Sequence, residues 1–236
     1  GLGPVRQIPG VVKIRNPRQV EALITACQLM IAPDGFPLVE LRPGVGVTSL
    51  FRAGASIDGV GTSHGMIEGD AYVVASGAWT SHILRPLGWE LPIEPVRGQI
   101  VLLHPGFPLI RRVLLQGSRY LVPRAEGRVL VGSTEEHAGF VKQTPAAGIQ
   151  GLLELATRLV PDLRMAALEK TWAGLRPGNR DGLPYLGRLE DFENLYVAAG
   201  HFRAGLQLSI GTGLGMAGLI QGKTAAIDMT AFAVER

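Results

Sequence analysis

Hydrophobic and polar positions along the chain fall into three stretches of different character. In the first, Val20, Leu23, Ile24 and Cys27 recur at three- and four-residue spacing, which marks one face of a helix. Asn16 stands at a good N-cap, Pro17 suits the first helical position, and Gln19 sits where a capping-box partner would. The spacing predicts a helix with Cys27 in a core. Residues 31–43, with Pro33, Asp34-Gly35, Pro37 and Pro43, read as a loop. Strand candidates follow at 45–51 and 65–68. The run DAYVVAS at 70–76 ends at Gly77 and predicts a strand buried on both faces of a parallel sheet. It leads into a short helix ending at Leu84.

The middle stretch changes to short strands at 99–103, 112–115, 119–122 and 128–132, with Glu126-Gly127 as the turn of a hairpin over 119–132. Thr144-Pro145 opens a helix through Leu152, Leu153, Leu155 and Leu159 that stops before Pro161. The last stretch returns to the first style. LYVAA at 195–199 is a second buried strand; Gly200 and a loop at 201–205 precede a helical run to Ile220. This order predicts a mixed α/β fold: a nucleotide-domain-like layer, residues 10–88 and 179–236, interrupted by an antiparallel-sheet domain, residues 89–178.

Composition narrows the picture. Of 236 residues, 46% are hydrophobic and 18% charged, which excludes general disorder and suffices for one large or two modest domains. Glycine, at 32 residues, is about twice its usual share, and without a G-X-Y period it points to tight turns or close backbone approach to a ligand. The net charge of +3 comes without a basic run, so a nucleic-acid partner is not expected. Arg far outnumbers Lys, which suits a substrate bearing a carboxylate or phosphate. The single cysteine excludes an intrachain disulfide, and the five histidines show no ligand spacing, so no metal site is expected.

Gly1 to Gly10 lack the charged and apolar regions of a leader, and a cytoplasmic location is the expectation. Residues 204–222 carry no charge but include several glycines with Gln207, Ser209, Thr212 and Gln221. They read as a buried helix, not a membrane span.

A G-x-G-x-x-G pattern occurs at Gly213, Gly215 and Gly218, inside the last predicted helix and with only 18 residues after it. A dinucleotide fingerprint needs a preceding strand and a following βαβ unit, so these glycines read as helix-packing positions.

The stretch TWAGLRPGNRDGLPYLG at 171–187, followed by NLYVAAGHFRAG at 194–205, resembles the glycine oxidase branch of the FAD-dependent D-amino-acid oxidase superfamily. Further matches fall in family order: Arg15-Asn16-Pro17-Arg18, Ser76-Gly77-Ala78-Trp79, Pro95-Val96-Arg97-Gly98-Gln99 and Tyr120-Leu121-Val122-Pro123-Arg124. The resemblance runs from about residue 10 to nearly the end. Family members open with a strand, a G-x-G-x-x-G turn, a helix and an acidic ribose ligand. That segment is not in this sequence, so the chain is expected to match the C-terminal part of such an enzyme, with the FAD-binding doubly wound domain incomplete.

The resemblance implies FAD as cofactor and a small amino acid and oxygen as reactants; it suggests a thiamine-pathway role and leaves a homo-oligomer open. Arg176, in Gly174-Leu175-Arg176-Pro177, is a guanidinium at a strand end that suits a bidentate grip on a carboxylate. The matching family arginine holds the substrate carboxylate; a structural ion pair is the alternative. Tyr120 matches a tyrosine that adds a hydroxyl to that carboxylate or caps the site, against a plain sheet tyrosine. Arg203 matches a second arginine near the substrate, against a surface ion pair.

For the cofactor, the resemblance carries over Gly200, His201, Gly205, Leu206 and Gln207 as the loop facing the flavin pyrimidine edge, where a helix start would stabilise negative charge. It carries over Ser76, Gly77 and Trp79 as the strand end beside the cofactor, and Val47 as a backbone contact to adenine. Two positions depart from the family: Ala204 replaces the usual asparagine, and Glu135 stands where a hydrophobic residue is usual. The implied activity is oxidative deamination to an oxo acid, ammonia and hydrogen peroxide. Two alternatives stand beside it: a related sarcosine or D-amino-acid dehydrogenase passing electrons to another acceptor, and a non-catalytic fragment.

Overall fold

A computed structural model describes residues 7–9, 13–223 and 227–236. Most of the stretch read for a leader, residues 1–10, lies outside them. The chain divides into two units, one up to Asp70 and one from Ala71 to Arg236.

The first unit holds a helix, α1 (Asn16–Gln28), and an antiparallel sheet of β1 (Val47–Ala53), β2 (Ser56–Thr62) and β3 (Gly65–Ile67) in that order. Arg15, not Asn16, takes the N-cap position of α1 and no side chain bonds there. The expected core role of Cys27 is also corrected: Cys27 is half-buried, Val20, Leu23 and Ile24 are exposed, and no residue of α1 is buried. Helical spacing makes the stripe, but burial needs a surface opposite it, which spacing does not supply. Strand β2, SIDGVGT, was not foreseen because its glycines weaken the strand signal. Ser49 and Met66 of the flanking strands lie against Gly61 and Gly59, where a longer side chain has no room.

The second unit has two sheets. The smaller contains β4 (Tyr72–Val74), β10 (Tyr185–Arg188) and β11 (Leu195–Ala199) in the order β10-β11-β4. Strands β4 and β11 run parallel, with Val74 opposite Val197, and β10 pairs antiparallel to β11. The reading of 70–76 as buried on both faces is corrected. Tyr72 and Val74 are buried but Val73 is 43% exposed, because β4 lies at the sheet edge and its outer face is uncovered among the described residues. A 3-10 turn over Gly77–Trp79 and the short helix α2 (Thr80–Leu84) follow β4, as the pattern predicts.

Helix α4 (Gly205–Ile220) follows β11 and packs Met216 on Leu186 and Tyr196 of the small sheet. Only Gly215 and Met216 of α4 are buried, and Ile210 and Leu214 are 71% and 62% exposed. The expectation of a buried helix is therefore corrected: α4 is covered on one side. Gly215 meets Met229 and is a packing glycine, while Gly213 faces open space. No helix among the described residues is long and apolar enough to cross a membrane.

The larger sheet is antiparallel. Its strands are β5 (Glu94–His104), β6 (Leu114–Gln116), β7 (Arg119–Pro123), β8 (Val129–Gly132) and β9 (Ala167–Gly178), ordered β6-β7-β8-β5-β9. Strands β7 and β8 form the predicted hairpin, with Glu126 and Gly127 both at positive φ in its turn. Helix α3 (Ala146–Leu159) covers one face, and Leu152, Leu155 and Ala156 pack on Val101, Leu103, Leu121, Val129 and Val131. Strand alternation puts Val96, Gly98 and Ile100 of β5 and Tyr120 of β7 on the face opposite α3.

Candidate active site

The face of the large sheet away from α3 has a glycine floor. Gly98 of β5 pairs with Gly174 of β9, and Gly132 of β8 pairs with Tyr120 of β7. Two long side chains lie across this floor. A Cβ placed on Gly98 would meet the Arg176 guanidinium carbon at 2.5 Å, and one on Gly132 would meet the Tyr120 hydroxyl at 2.9 Å. Glycine at these two positions lets a guanidinium and a phenol lie flat on the backbone, a close approach no other residue permits.

Arg176 pairs in register with Val96, and its guanidinium donates to Ser133 Oγ at 2.7 Å and to the Thr134 carbonyl at 3.4 Å. Both acceptors are neutral, and among the described residues Arg176 makes no ion pair. Burial pulls its pKa below the usual arginine value; Tyr120 opposes that shift, Arg203 adds to it, and Glu135 opposes it. The guanidinium stays charged at neutral pH all the same. It is a desolvated cation with unused donors, the arrangement that rewards a carboxylate.

Arg203 reaches the same neighbourhood from the loop after β11. It donates to Glu135 Oε2 at 3.2 Å and to the Ser118 carbonyl at 2.7 Å. Segment 133–136, which carries Ser133, Thr134 and Glu135, is fixed from beneath. Glu136 accepts from Arg97 Nε at 2.8 Å and from Gln99 Nε2 at 2.6 Å, while Thr134 Oγ1 accepts from the Gln99 amide at 2.8 Å. Arg97 and Glu136 also exchange both backbone hydrogen bonds, at 2.8 and 3.0 Å. Burial opposes ionisation of Glu136, but hydrogen bonds from Thr134, Arg97 and Gln99 outweigh it and hold the carboxyl below its usual pKa.

The second half of the site lies at the carboxyl ends of the two parallel strands, where open α/β sheets take their ligands. After β4, Ser76 Oγ lies 3.3 Å from Thr80 Oγ1, which donates to the Gly77 carbonyl at 2.9 Å, and the Trp79 ring stacks on Phe140 at 5.4 Å. The Gly77–Trp79 turn packs against β9 and β5. After β11, the Gly200 carbonyl accepts from Asn179 Nδ2 at 2.6 Å, and the Phe202 amide donates to the Pro177 carbonyl at 3.1 Å. The loop is thus tied to the strand end that carries Arg176. Half-buried His201 has Nε2 2.9 Å from Thr212 Oγ1, and burial lowers its pKa below the usual histidine value.

Gly205, Leu206 and Gln207 form the first turn of α4. Leu208 is the first to bond back, to the Ala204 carbonyl at 2.9 Å, which leaves the three preceding amides outside the helical ladder. No side chain caps this end and no acidic residue occupies the first turn, so the site has the electrostatics an anion needs.

Of the residues singled out from the sequence, the second unit brings Tyr120, Arg176 and Arg203 into one electrostatic group and places Ser76, Gly77 and Trp79 beside β9. Val47 lies in the other unit, as the first residue of β1, paired with Thr62. Four contributors were not among the selected residues: Gly98, Gly132, Ser133 and Glu135. Gly98 lies within the motif Pro95-Val96-Arg97-Gly98-Gln99 and Glu135 departs from the family pattern, but only strand register reveals that Gly98 and Gly132 form the floor. No group of His, Cys, Asp and Glu among the described residues has the geometry to hold a metal ion.

The chain is 38% identical to the glycine oxidase of Pseudomonas putida over 226 residues, covering 96% of this chain and 60% of that protein. It therefore spans about 60% of the length of that relative. The glycine oxidase structure from Geobacillus kaustophilus superposes with a TM-score of 0.77 at 35% identity, over 81% of this chain and 52% of that one. The iminodiacetate oxidase structure from Chelativorans sp. BNC1 superposes with a TM-score of 0.74 at 30% identity, over 80% of this chain and 52% of that one. Residues 37–219 match the FAD dependent oxidoreductase (DAO) family, and with the glycine-floored arginine site and the two parallel strand ends in place, the chain belongs to that family.

Proposed function

We propose that this chain forms the substrate-binding part, and a portion of the cofactor-binding part, of an FAD-dependent oxidase of small amino acids, with glycine as the first candidate. The single observation that carries the reading is Arg176, a desolvated guanidinium held by two neutral oxygens and open to a carboxylate. In this reading residues 89–178 are the substrate domain, and residues 10–88 and 179–236 belong to the FAD-binding domain.

The residues at the two parallel strand ends fit a flavin. Gly200, His201, Gly205, Leu206 and Gln207 would face its pyrimidine edge with uncapped amides. Ser76, Gly77 and Trp79 would flank it, and Val47 would meet the adenine. FAD, when bound, supplies the two-electron oxidation of the substrate C–N bond.

Arg176 grips the substrate carboxylate in a fork, and Tyr120 adds its hydroxyl to the same group. Together they fix the position of the α-carbon. The glycine floor keeps both side chains low on the sheet. The overall reaction is glycine, dioxygen and water to glyoxylate, ammonia and hydrogen peroxide. It asks no proton abstraction of the protein, which agrees with the absence of a His/Asp/Ser constellation around Arg176 among the described residues.

The test is Arg176→Lys in FAD-loaded protein. Loss of the fork raises KM for glycine about 10- to 100-fold, and calorimetric binding of acetate weakens in step. An unchanged KM overturns the carboxylate role. Glycine-dependent oxygen uptake supports an oxidase; reduction of a dye without oxygen uptake favours the dehydrogenase alternative. Purified chain that takes up no flavin, with no absorbance near ~450 nm, favours the non-catalytic fragment.

A further inference from the structure

Glu135 is the one anionic side chain among the groups that bear on the Arg176 charge, alongside Tyr120 and Arg203. It is not idle. Its Oε2 lies 3.2 Å from Arg203 Nη1, while Arg203 Nη2 donates to the Ser118 carbonyl at 2.7 Å. Both ends of the Arg203 fork are therefore engaged, by a carboxylate and by a carbonyl. Arg176 has only neutral oxygens as partners. Glu135 follows Ser133, the partner of Arg176, by two residues, so segment 133–136 meets both arginines, one committed and one open.

We infer that Glu135 is a specificity-determining residue: by holding Arg203 it leaves one open guanidinium, so the site selects amino monocarboxylates over amino dicarboxylates. The inference rests on the reading of Arg176 as the carboxylate anchor. A second substrate carboxylate would need Arg203, and would have to displace Glu135 and then sit beside it. That placement sets like charges against each other at close range, a repulsion that solvent around the partly exposed pair reduces but does not remove. Selectivity thus comes from an element that repels the wrong ligand as much as from one that attracts the right one.

The pair also has the right character for such a role. The Arg203 and Glu135 side chains keep 36% and 43% of their exposure, so the bond is a weak structural brace. Its effect on the charge available to a ligand does not depend on its strength. Neutralising Glu135 frees an Nη donor of Arg203 while the Ser118 carbonyl still holds the guanidinium in place.

The test uses FAD-loaded wild-type protein, Glu135→Gln, Arg203→Gln and the double variant. Binding of acetate and malonate, a mono- and a dicarboxylate that neither carries an amine nor is oxidised, is measured by calorimetry. Turnover of glycine and iminodiacetate is measured alongside. Wild-type protein prefers acetate to malonate. E135Q shifts the malonate-to-acetate affinity ratio at least 10-fold toward malonate and raises the iminodiacetate-to-glycine ratio of kcat/KM in the same direction. The double variant loses that gain, since it requires Arg203. Thermal melts establish that each variant is folded, and Glu135→Asp, which keeps the charge, retains the wild-type preference. An unchanged ratio in folded E135Q, or wild-type preference for malonate, overturns the inference. Failure of the wild type to oxidise glycine overturns the oxidase reading instead, and the acetate–malonate ratio still decides the role of Glu135.

Discussion

The Arg176 guanidinium lies over the Cα of Gly98, on the strand beside its own and two residues beyond Val96, its partner in register. An arginine at the end of one strand is thereby turned along the sheet instead of out toward water. The side chain is half-buried without an ion pair among the described residues, and its direction is fixed by what the neighbouring strand lacks.

Gly98→Ala places a methyl group where the guanidinium now rests. The backbone at Gly98 has ordinary strand geometry, so folding is little affected, but Arg176 must lift off the sheet. Apparent affinity for a carboxylate ligand falls about 10-fold or more, the cost of a misplaced charge-assisted fork. Steady-state KM for glycine against a thermal melt checks it: KM rises while Tm changes by a few degrees at most.

Gly148→Ala acts on stability through Gln99, the residue that braces Glu136 beneath the site. A Cβ there would meet the Gln99 amide carbon at 2.7 Å, and Gln99 is fully buried. Overpacking of a tight α3–sheet contact costs about 1–3 kcal/mol, read as a lower midpoint in urea unfolding with an unchanged slope.

Arg97→Ala leaves Glu136 with one charged partner fewer in a site where Arg97 is 9% and Glu136 26% exposed. Breaking such a pair from one side costs about 2–4 kcal/mol, because the remaining carboxylate keeps its Gln99 and Thr134 bonds but loses the guanidinium charge that offsets its desolvation. The double variant Arg97→Met with Glu136→Leu recovers part of that stability. Segment 133–136 loses its anchor in either case, so glycine KM rises in both.

His201 imposes a pH dependence on stability. Burial lowers its folded pKa below the ordinary value of 6.5. Below pH 6.5 the unfolded chain takes up a proton that the folded chain resists, so the contribution is complete above pH 6.5 and lost as pH falls toward the folded value. Wild-type Tm drops between pH 7.5 and 5.5, and His201→Asn drops less. An equal drop in both proteins shows that His201 is not the titrating group.

Much of the fold was legible. The hairpin over β7 and β8, helix α3 with its stop before Pro161, and the parallel strands β4 and β11 all announce themselves through period, turn residues and apolar runs. Strands β2 and β10 did not, because SIDGVGT and YLGR are short or glycine-bearing and carry no alternation. Burial was the weaker inference. Cys27, Val73 and the α4 run all have the pattern of covered positions, yet each is partly or largely open.

By itself, the sequence determined most of the local elements and the family, and it singled out Arg176 as the candidate carboxylate anchor. Those rest on short-range preferences and on motifs read within a few residues. Tertiary structure alone decided that Gly98 and Gly132 form one floor, that Ser133 and not a carboxylate holds Arg176, and that Glu135 meets Arg203 across 68 residues of chain. Such contacts arise from strand register and loop placement. A one-residue slip would turn every side chain on a strand to the other face, so no pattern local to the chain specifies them.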